Sequence, residues 1–276
     1  MTVNFQNPIQ IPFSEKKLFI FDMDGTIYLG NQPFDFAISF IKNLRASGKK
    51  VLFFTNNASH TDAFYLKKLE RLGFAPLLDE IMTSGDVTLE FLKRYRPGKT
   101  VYLVGTDELV EEYRSAGIPL LQGDEEKADI VITSFDTSLT YAKLESACRF
   151  VRNGAEYLST HPDFNCPTET GFIPDSGAIA ALVTASTGKT PIYFGKPYKE
   201  TIEMIGEATG YRREEMCIFG DRLYTDIALG KRFGVTSVLV LSGETQPEDV
   251  DAAKPEDQPD FVYGSLADMN RVMFGE

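Results

Sequence analysis

The sequence lacks long apolar runs and contains little cysteine. No apolar stretch in its 276 residues approaches the roughly 20 residues that a membrane-spanning helix needs, so we expect no membrane segment. Residues 1–15 contain neither a basic nor an apolar signal-peptide region, so we expect no signal peptide. The three cysteines, Cys148, Cys166 and Cys217, are an odd number without metal-ligand spacing. Because reduced thiols are typical of the cytoplasm, we predict a cytoplasmic protein.

Positive charge is scarce as well. The chain has 28 Lys and Arg against 40 Asp and Glu, which gives a net charge of −12. Nucleic acids and anionic membranes bind to basic faces, so we predict neither as a partner. An anionic substrate would need a local group of metal, lysine and helix N-termini to overcome this negative field.

Strands and helices alternate along the chain, which favours an α/β fold with a largely parallel sheet. The buried-strand candidates are short apolar runs, at residues 18–21, 51–54, 101–104, 130–132, 192–194, 217–219 and 238–241. Between them, apolar residues at helical spacing predict helices, for example from Phe34 through Ile41 to Leu44, with Gly48 as the stop.

Two carboxylates follow the first of these strands. Asp22 and Asp24 stand two positions apart, so in an extended segment they point to the same side. Two like charges are tolerable there when a cation lies between them, which indicates a hard divalent metal such as Mg²⁺. No cluster of Cys or His offers zinc ligands. Asp-x-Asp-Gly alone is most often a surface turn, but the apolar strand in front of it favours a functional site.

Three further polar turns follow predicted strands. Thr55 and Asn56 suit an anion, because a hydroxyl and amide donors converge there. Lys196 could neutralise a phosphate, Asp221 has the placement of a metal ligand, and Asp226 has the spacing of a supporting carboxylate. Each motif alone could be solvated surface. Open parallel sheets bind ligands at the carboxyl ends of their strands, so together the motifs predict a site for Mg²⁺ and a phosphate.

The motifs lie at the start and end of the chain, and the middle contains its own series of strands and helices. We therefore predict one domain inserted into another. The core segments would be residues 1–84 and 191–276, and the inserted cap domain would be residues 85–190.

The joint pattern Asp-x-Asp-Gly-Thr, Thr-Asn, Lys and Gly-Asp-x-x-x-Thr-Asp resembles the haloacid dehalogenase (HAD) superfamily. The insertion lies between Asn57 and Lys196, a position that marks a class II cap in that superfamily. Thr-His-Pro-Asp at 160–163 and Gly-Ala at 177–178 look like the 4-nitrophenylphosphatase subfamily, which includes the phosphatase encoded with bacterial N-acetylglucosamine genes. The resemblance implies a Rossmann-like parallel-sheet core with an inserted α/β class II cap. His161, where many relatives carry Asn, departs from the pattern and concerns substrate choice.

The resemblance also implies roles for the carboxylates. Asp22 would be the nucleophile that forms an aspartyl-phosphate. Asp24 would be the general acid for the leaving group and then the base for the attacking water. Mg²⁺ would be held by the Asp22 side chain, the Asp24 backbone carbonyl and Asp221, with Asp226 supporting through water.

The phosphate and the rest of the substrate have their own candidates. By the same resemblance, Thr55, Asn56 and Lys196 would bind the transferring phosphoryl group. The polar, turn-rich cap loop at residues 160–174 should read the part of the substrate beyond the phosphate. The candidate substrate-binding residues are Asn57, His161, Asp163 and Asn165.

The sequence thus predicts a Mg²⁺-dependent phosphatase that hydrolyses small phosphomonoesters, such as a sugar phosphate, a nucleotide or a related metabolite. A dehalogenase needs no proton donor for its halide, whereas an alkoxide leaving group does, so Asp24 favours the phosphatase. Two alternatives stay open. One is a phosphotransferase or phosphomutase on the same scaffold, and the other is a non-catalytic phosphometabolite-binding protein. Relatives often dimerise through the cap, so a homodimer is also left open.

Overall fold

The computed structural model describes residues 13–168 and 171–275. Over these residues the chain forms fourteen strands and ten α-helices. The strands are β1 (Leu18–Phe21), β2 (Tyr28–Leu29), β3 (Gln32–Pro33), β4 (Lys50–Thr55), β5 (Ile81–Thr83), β6 (Val101–Val104), β7 (Ile130–Thr133), β8 (Glu156–Ser159), β9 (Asn165–Thr168), β10 (Gly171–Pro174), β11 (Ile192–Tyr193), β12 (Met216–Gly220), β13 (Thr236–Val240) and β14 (Phe261–Tyr263).

The α-helices are α1 (Asp35–Ala46), α2 (Asp62–Arg71), α3 (Ser84–Tyr95), α4 (Asp107–Ser115), α5 (Tyr141–Arg152), α6 (Ser176–Thr187), α7 (Lys199–Thr209), α8 (Ala228–Phe233), α9 (Pro247–Ala252) and α10 (Leu266–Phe274). Single 3₁₀ turns lie at Leu78–Glu80, Arg213–Glu215 and Pro255–Asp257. One turn of π-helix, Leu223–Ile227, follows β12.

The chain divides into two compact units. The first takes in residues 65–82 together with the described residues of 1–54 and 205–276. The second takes in 55–64 and the described residues of 83–204. The domain boundaries predicted from the sequence stay a prediction.

The first unit is built on a six-stranded sheet in the order β14-β13-β12-β1-β4-β5. β1 pairs in parallel with both β12 and β4, so that Phe21 lies opposite Phe219 on one side and Phe53 on the other. β12 also pairs in parallel with β13, and β13 with β14. All four residues of β1 are buried, as expected for a strand covered on both faces. The residues after β1 and β12 therefore come to one edge of the sheet.

Aromatic packing holds β1 beside β12. The rings of Phe21 and Phe219 stack with their centroids 4.8 Å apart, and Phe40 of α1 meets Phe21 edge-on at 6.0 Å. Such pairs contribute about 0.5–1.5 kcal/mol each beyond the area they bury. The buried face of α1 supplies Ala37 and Leu44 to the same core. This core fixes the two strand ends from which the site carboxylates extend.

The second unit contains a four-stranded sheet in the order β11-β8-β7-β6, and its strands pair in parallel. Helices α5 and α6 contact each other, and their apolar faces share a core with Tyr102 and Val131. The sequence predicted a turn-rich loop over residues 160–174, and this was wrong for part of it. Strands β9 and β10 form an antiparallel hairpin there, because the backbones of 165–168 and 171–174 pair with each other. Residues 169–170 of that segment lie outside the described residues.

No helix within residues 13–168 and 171–275 has the length and apolar character that crossing a membrane requires. Of the N-terminal segment in which we expect no signal peptide, residues 1–12 lie outside the described part of the chain.

Candidate active site

Three carboxylates meet where β1 and β12 end. One oxygen from each of Asp22, Asp221 and Asp226 lies within 4.8 Å of the others. Asp22 prolongs the sheet pairing of β1, because its main-chain N–H donates to the carbonyl of Phe219 at 2.8 Å. Asp221 directly follows β12, and Asp226 lies in the π-helical turn after it. The fold thus brings together three of the carboxylates that the sequence singled out, and Asp226 reaches the same point as the other two.

Asp221 is the most constrained of the three carboxylates. It is only 2% exposed, and its Oδ2 accepts a hydrogen bond of 2.7 Å from the N–H of Glu244. Its Oδ1 is buried and has no hydrogen-bond partner among the described residues. Burial, and then the charge of Asp22, raise the pKa of Asp221 to about 7. A buried carboxylate oxygen without a donor is costly, and a bound cation would remove that cost.

Glycines surround this group because side chains would not fit. A Cβ on Gly25 or on Gly243 would collide with the carboxylate of Asp221, and a Cβ on Gly220 would collide with that of Asp226. Gly25 also has a φ of +88°, in the left-handed region that favours glycine. The glycines of the Asp-Gly and Gly-Asp motifs therefore have a steric cause. The residues fit a hard divalent cation, because the group offers only carboxylate oxygens.

Arg222 is a functional candidate that the sequence reasoning missed. It follows Asp221 directly and forms an ion pair of 2.9 Å with Glu244. Burial acts to lower the pKa of its guanidinium, but the attraction of Asp22 and other nearby acids raises that pKa above its ordinary value. The Gly-Asp-x-x-x-Thr-Asp motif does not specify the residue after Asp221, which is why Arg222 was missed. The available signal was that Arg222 directly follows a candidate metal ligand.

Asp24 stands apart from the three-carboxylate group. Asp24 is exposed by surface area, yet the protein around its carboxyl displaces enough solvent to raise its pKa, and the charge of Asp22 adds to the rise. Lys68 of α2 acts in the opposite direction and was also missed from the sequence. The Nζ of Lys68 lies 4.0 Å from the centre of the Tyr28 ring, and burial lowers its pKa. A carboxyl with a raised pKa keeps its proton to higher pH, as a general acid requires.

In the second unit, Asn56 and Lys196 are bound to each other. Oδ1 of Asn56 accepts from the main-chain N–H of Lys196 at 2.7 Å, and Nδ2 donates to the Lys196 carbonyl at 2.9 Å. Nδ2 also donates to Oδ2 of Asp163 at 3.1 Å. Both Asn56 and Lys196 are buried. Because the side-chain amide of Asn56 is engaged by protein groups, a contact from this residue to a phosphoryl oxygen would come from its main chain.

The remaining polar residues of this motif stabilise their own turn. Thr55 ends β4, and its Oγ1 accepts from the N–H of Asn57 at 3.2 Å. Oδ1 of Asn57 accepts from both the N–H and the hydroxyl of Ser59, at 2.9 and 2.7 Å. This is the turn-closing geometry that asparagine favours. Asn165 is exposed in β9. A substrate contact from Asn57 or Asn165 stays a prediction.

His161 has no exposed surface. Its Nε2 lies 2.7 Å from Oδ1 of Asp175, and its Nδ1 lies 3.2 Å from Oγ of Ser84 and 3.0 Å from Oγ1 of Thr160. The sequence led us to expect that His161 reads the substrate. An imidazole with both nitrogens engaged in the interior does not support that role, whereas Asp163, which is partly exposed, still does.

Comparison with known proteins identifies the family of the chain. A family model described as haloacid dehalogenase-like hydrolase matches residues 19–119, and one described as HAD-hydrolase-like matches residues 193–269. An acid sugar phosphatase of Staphylococcus saprophyticus is 34% identical over 257 residues, covering 93% of this chain and 96% of that protein. The chain belongs to the haloacid dehalogenase-like hydrolases.

Solved structures of HAD phosphatases share the fold. A 4-nitrophenylphosphatase from Thermotoga maritima matches with a TM-score of 0.87 and 40% identity, covering 93% of this chain and 97% of that one. A glycerol phosphate phosphatase from Mycobacterium tuberculosis, in complex with magnesium, matches with a TM-score of 0.84 and 29% identity, covering 91% and 75%. The predicted family, the HAD fold and the enzyme class, a phosphoric monoester hydrolase, are confirmed. HAD phosphatases depend on a divalent metal.

Proposed function

We propose that this HAD phosphatase uses Mg²⁺ to hydrolyse small phosphomonoesters through an aspartyl-phosphate on Asp22, and that its substrates are sugar or polyol phosphates. The observation that carries the proposal is the group of Asp22, Asp221 and Asp226, with the unpaired Oδ1 of Asp221 buried inside it. The named activities of the relatives, on sugar phosphates and on glycerol phosphate, support the substrate class.

Asp22, Asp221 and Asp226 would hold the metal, and the backbone carbonyl of Asp24 would complete the protein ligands. Carboxylate and carbonyl oxygens are the ligands that Mg²⁺ prefers. When bound, the metal supplies positive charge that stabilises the oxygens of the transferring phosphoryl group. An oxygen of Asp226 lies within 4.8 Å of oxygens of the other two carboxylates, a spacing that suits a direct ligand and a carboxylate acting through water alike.

The chemical steps fall to Asp22 and Asp24. An oxygen of Asp22 attacks phosphorus, the bond from phosphorus to the ester oxygen breaks, and Asp24 gives its proton to the departing alkoxide. Asp24, now ionised, takes a proton from a water molecule that attacks the same phosphorus and releases Asp22. The raised pKa of Asp24 suits the first step, because the carboxyl must be protonated when the leaving group departs. Arg222 attracts Asp22 electrostatically and would keep that carboxylate in place between the steps.

Phosphoryl binding is assigned to the hydroxyl of Thr55, the main chain of Asn56 and the ammonium of Lys196. Lys196 is 2% exposed, so water screens little of the attraction between its ammonium and a bound phosphoryl group. Its backbone is held at both N–H and C=O by Asn56, which would limit where its side chain can reach. Asp163, which accepts from the same amide, is the favoured candidate for reading the rest of the substrate.

The test is a panel of phosphomonoesters with and without Mg²⁺, beginning with 4-nitrophenyl phosphate, sugar phosphates, glycerol phosphate and nucleoside monophosphates. We expect activity that chelation abolishes and Mg²⁺ restores, with the highest kcat/KM on sugar or polyol phosphates. Full turnover in metal-free protein would contradict the metal assignment. Transfer of the phosphoryl group to an added alcohol in preference to water would instead indicate the phosphotransferase alternative.

A further inference from the structure

The buried His161 packs against Gly195, next to the Asn56–Lys196 pair. The hydrogen-bond partners of its two ring nitrogens indicate its protonation state. Nε2 of His161 faces the carboxylate of Asp175 at 2.7 Å. Asp175 also accepts from the N–H of Ser176 and caps the N-terminus of α6, where the helix dipole favours a negative charge. An ionised carboxylate can only accept hydrogen bonds, so Nε2 must carry a proton.

The other ring nitrogen faces acceptors as well. Oγ of Ser84 donates its single proton to the main-chain carbonyl of Asn56, which has no proton to give. Ser84 can then only accept from Nδ1 of His161. Oγ1 of Thr160 donates to Oγ of Ser134, so it too is left as an acceptor toward Nδ1. Both ring nitrogens therefore act as donors, and the imidazole is a cation.

The charges around His161 agree with this assignment. Burial acts to lower the pKa of the imidazole, but the charge and hydrogen bond of Asp175 and the charge of Asp163 outweigh it and raise the pKa above its ordinary value. Gly195 packs against His161, and Lys196, which directly follows Gly195, is the nearest cation along the chain. Ser84 on α3 and Thr160 after β8 are neutral.

The ring is linked to Lys196 by two routes. One runs through Ser84 to the carbonyl of Asn56, whose side chain holds the backbone of Lys196. The other is direct packing, because a Cβ at Gly195 would collide with the Cβ of His161 and with Oδ1 of Asn56. A change in the position or charge of the ring would therefore displace Gly195 and the side-chain amide of Asn56, which holds the backbone of Lys196.

We propose that His161 is a positioning residue. It is a doubly protonated imidazole, paired with Asp175, that holds Asn56 and through it Lys196 in the geometry required for phosphoryl binding. The inference rests on the proposed role of Lys196. It replaces the expectation that His161 reads the substrate.

The positive charge of His161 can be tested without altering the hydrogen bonds around it. The chain has two histidines, so His60→Gln leaves His161 as the single one. His60 is partly exposed, where it pairs with Glu108 and stacks on Phe64, and it takes no part in the network. Long-range ¹H–¹⁵N spectra of this variant should show both ring nitrogens still protonated above the pH at which the denatured chain loses that proton. The same sample in denaturant gives the reference near pH 6.5. A neutral ring at pH 7 would overturn the proposal.

The positioning role is tested with Asp175→Asn. Asparagine is an equally good N-cap, so α6 should keep its start while the charge beside His161 is lost. The pKa of His161 should fall, so kcat/KM should drop about tenfold at pH 8 and recover relative to wild type as the pH is lowered through the new pKa, which the same NMR titration locates, because a misplaced binding group costs rate. The factor should be the same for 4-nitrophenyl phosphate and for a sugar phosphate, because Lys196 would bind the group they share. The control is Thr140→Asn, which changes the N-cap of α5 in the same unit and should retain the pH profile of the wild type.

Two results would overturn the positioning role. One is a pH profile of Asp175→Asn that runs parallel to wild type at a lower level, which indicates a structural role alone. The other is a loss that differs from ester to ester, which indicates substrate reading. Lys196→Ala separates this failure from failure of the proposed function. If that variant keeps full activity, the assignment of Lys196 is wrong, and with it the positioning role. If it is inactive while Asp175→Asn shows no new pH dependence, only the role of His161 is wrong.

Discussion

Replacing Asp221 with Asn should stabilise the metal-free protein and remove the stability that Mg²⁺ confers. Asp221 is 2% exposed, and its pKa is raised to about 7 by burial and by the charge of Asp22. An asparagine has the same shape, and its carbonyl oxygen can still accept from the N–H of Glu244. It carries no charge, so it neither repels Asp22 nor binds a cation strongly.

The magnitude follows from the pKa of Asp221. Each pKa unit corresponds to about 1.4 kcal/mol, and the rise from 3.8 to about 7 spans roughly three units, which sets an upper bound near 4 kcal/mol. Part of this is repulsion within the group, which small movements of Asp22 and Asp226 relieve, so we expect about 2 kcal/mol at pH 8. The folded state holds a proton that the unfolded state has lost. The stability of the metal-free wild type should therefore fall as pH rises from about 4 to about 7 and then stay constant.

Urea denaturation between pH 5 and pH 8, in EDTA and in Mg²⁺, measures both effects. We expect the wild type to lose stability with rising pH in EDTA and to regain it in Mg²⁺. Asp221→Asn should show a smaller decline and little response to Mg²⁺. Glu70→Gln, which neutralises an exposed carboxylate on α2 in the same unit, should behave as wild type. The reasoning is refuted if Asp221→Asn is no more stable than wild type at pH 8 without metal, or if Mg²⁺ stabilises it fully.

Three further substitutions test the chemistry and the second unit. Asp22→Asn should lower kcat by a factor on the order of 10⁴, as loss of a nucleophile does, and a tenth of the wild-type kcat in steady-state assays would rule the role out. Asp24→Asn should slow alkyl phosphates far more than 4-nitrophenyl phosphate, whose leaving group needs little protonation, and equal losses on the two esters would argue against a general acid. In the second unit, burial and the charge of Asp86 raise the pKa of Glu112 to about 9, so stability in Mg²⁺ should fall as pH rises from 7 to 9. Glu112→Gln should flatten that decline and add about 1 kcal/mol at pH 9 by urea denaturation, and an unchanged decline would exclude Glu112 as its cause.

Several features of the fold could be read from local pattern. The strand before Asp22 and the strand before Asp221 are short apolar runs, and both form as predicted because strands buried on two faces must be apolar throughout. Helix α1 follows its apolar spacing, which puts Phe40 and Leu44 on the buried face. Strand β14 and helix α4 were not predicted. β14 is half-buried at the sheet edge and has no long apolar run, and most of α4 is exposed.

By itself, the sequence determined that carboxylates follow two buried strands with glycines beside them, and this was enough to indicate the family and the chemistry. Only the tertiary structure decided that Asp226 joins Asp22 and Asp221 while Asp24 stands apart, and that Arg222 and Lys68 lie among these acids. It also decided the surroundings of His161. The physical reason is that chain periodicity reports the local backbone and the burial of each residue. Which charges become neighbours, and what that does to their pKa values, depends on packing between segments far apart in the chain.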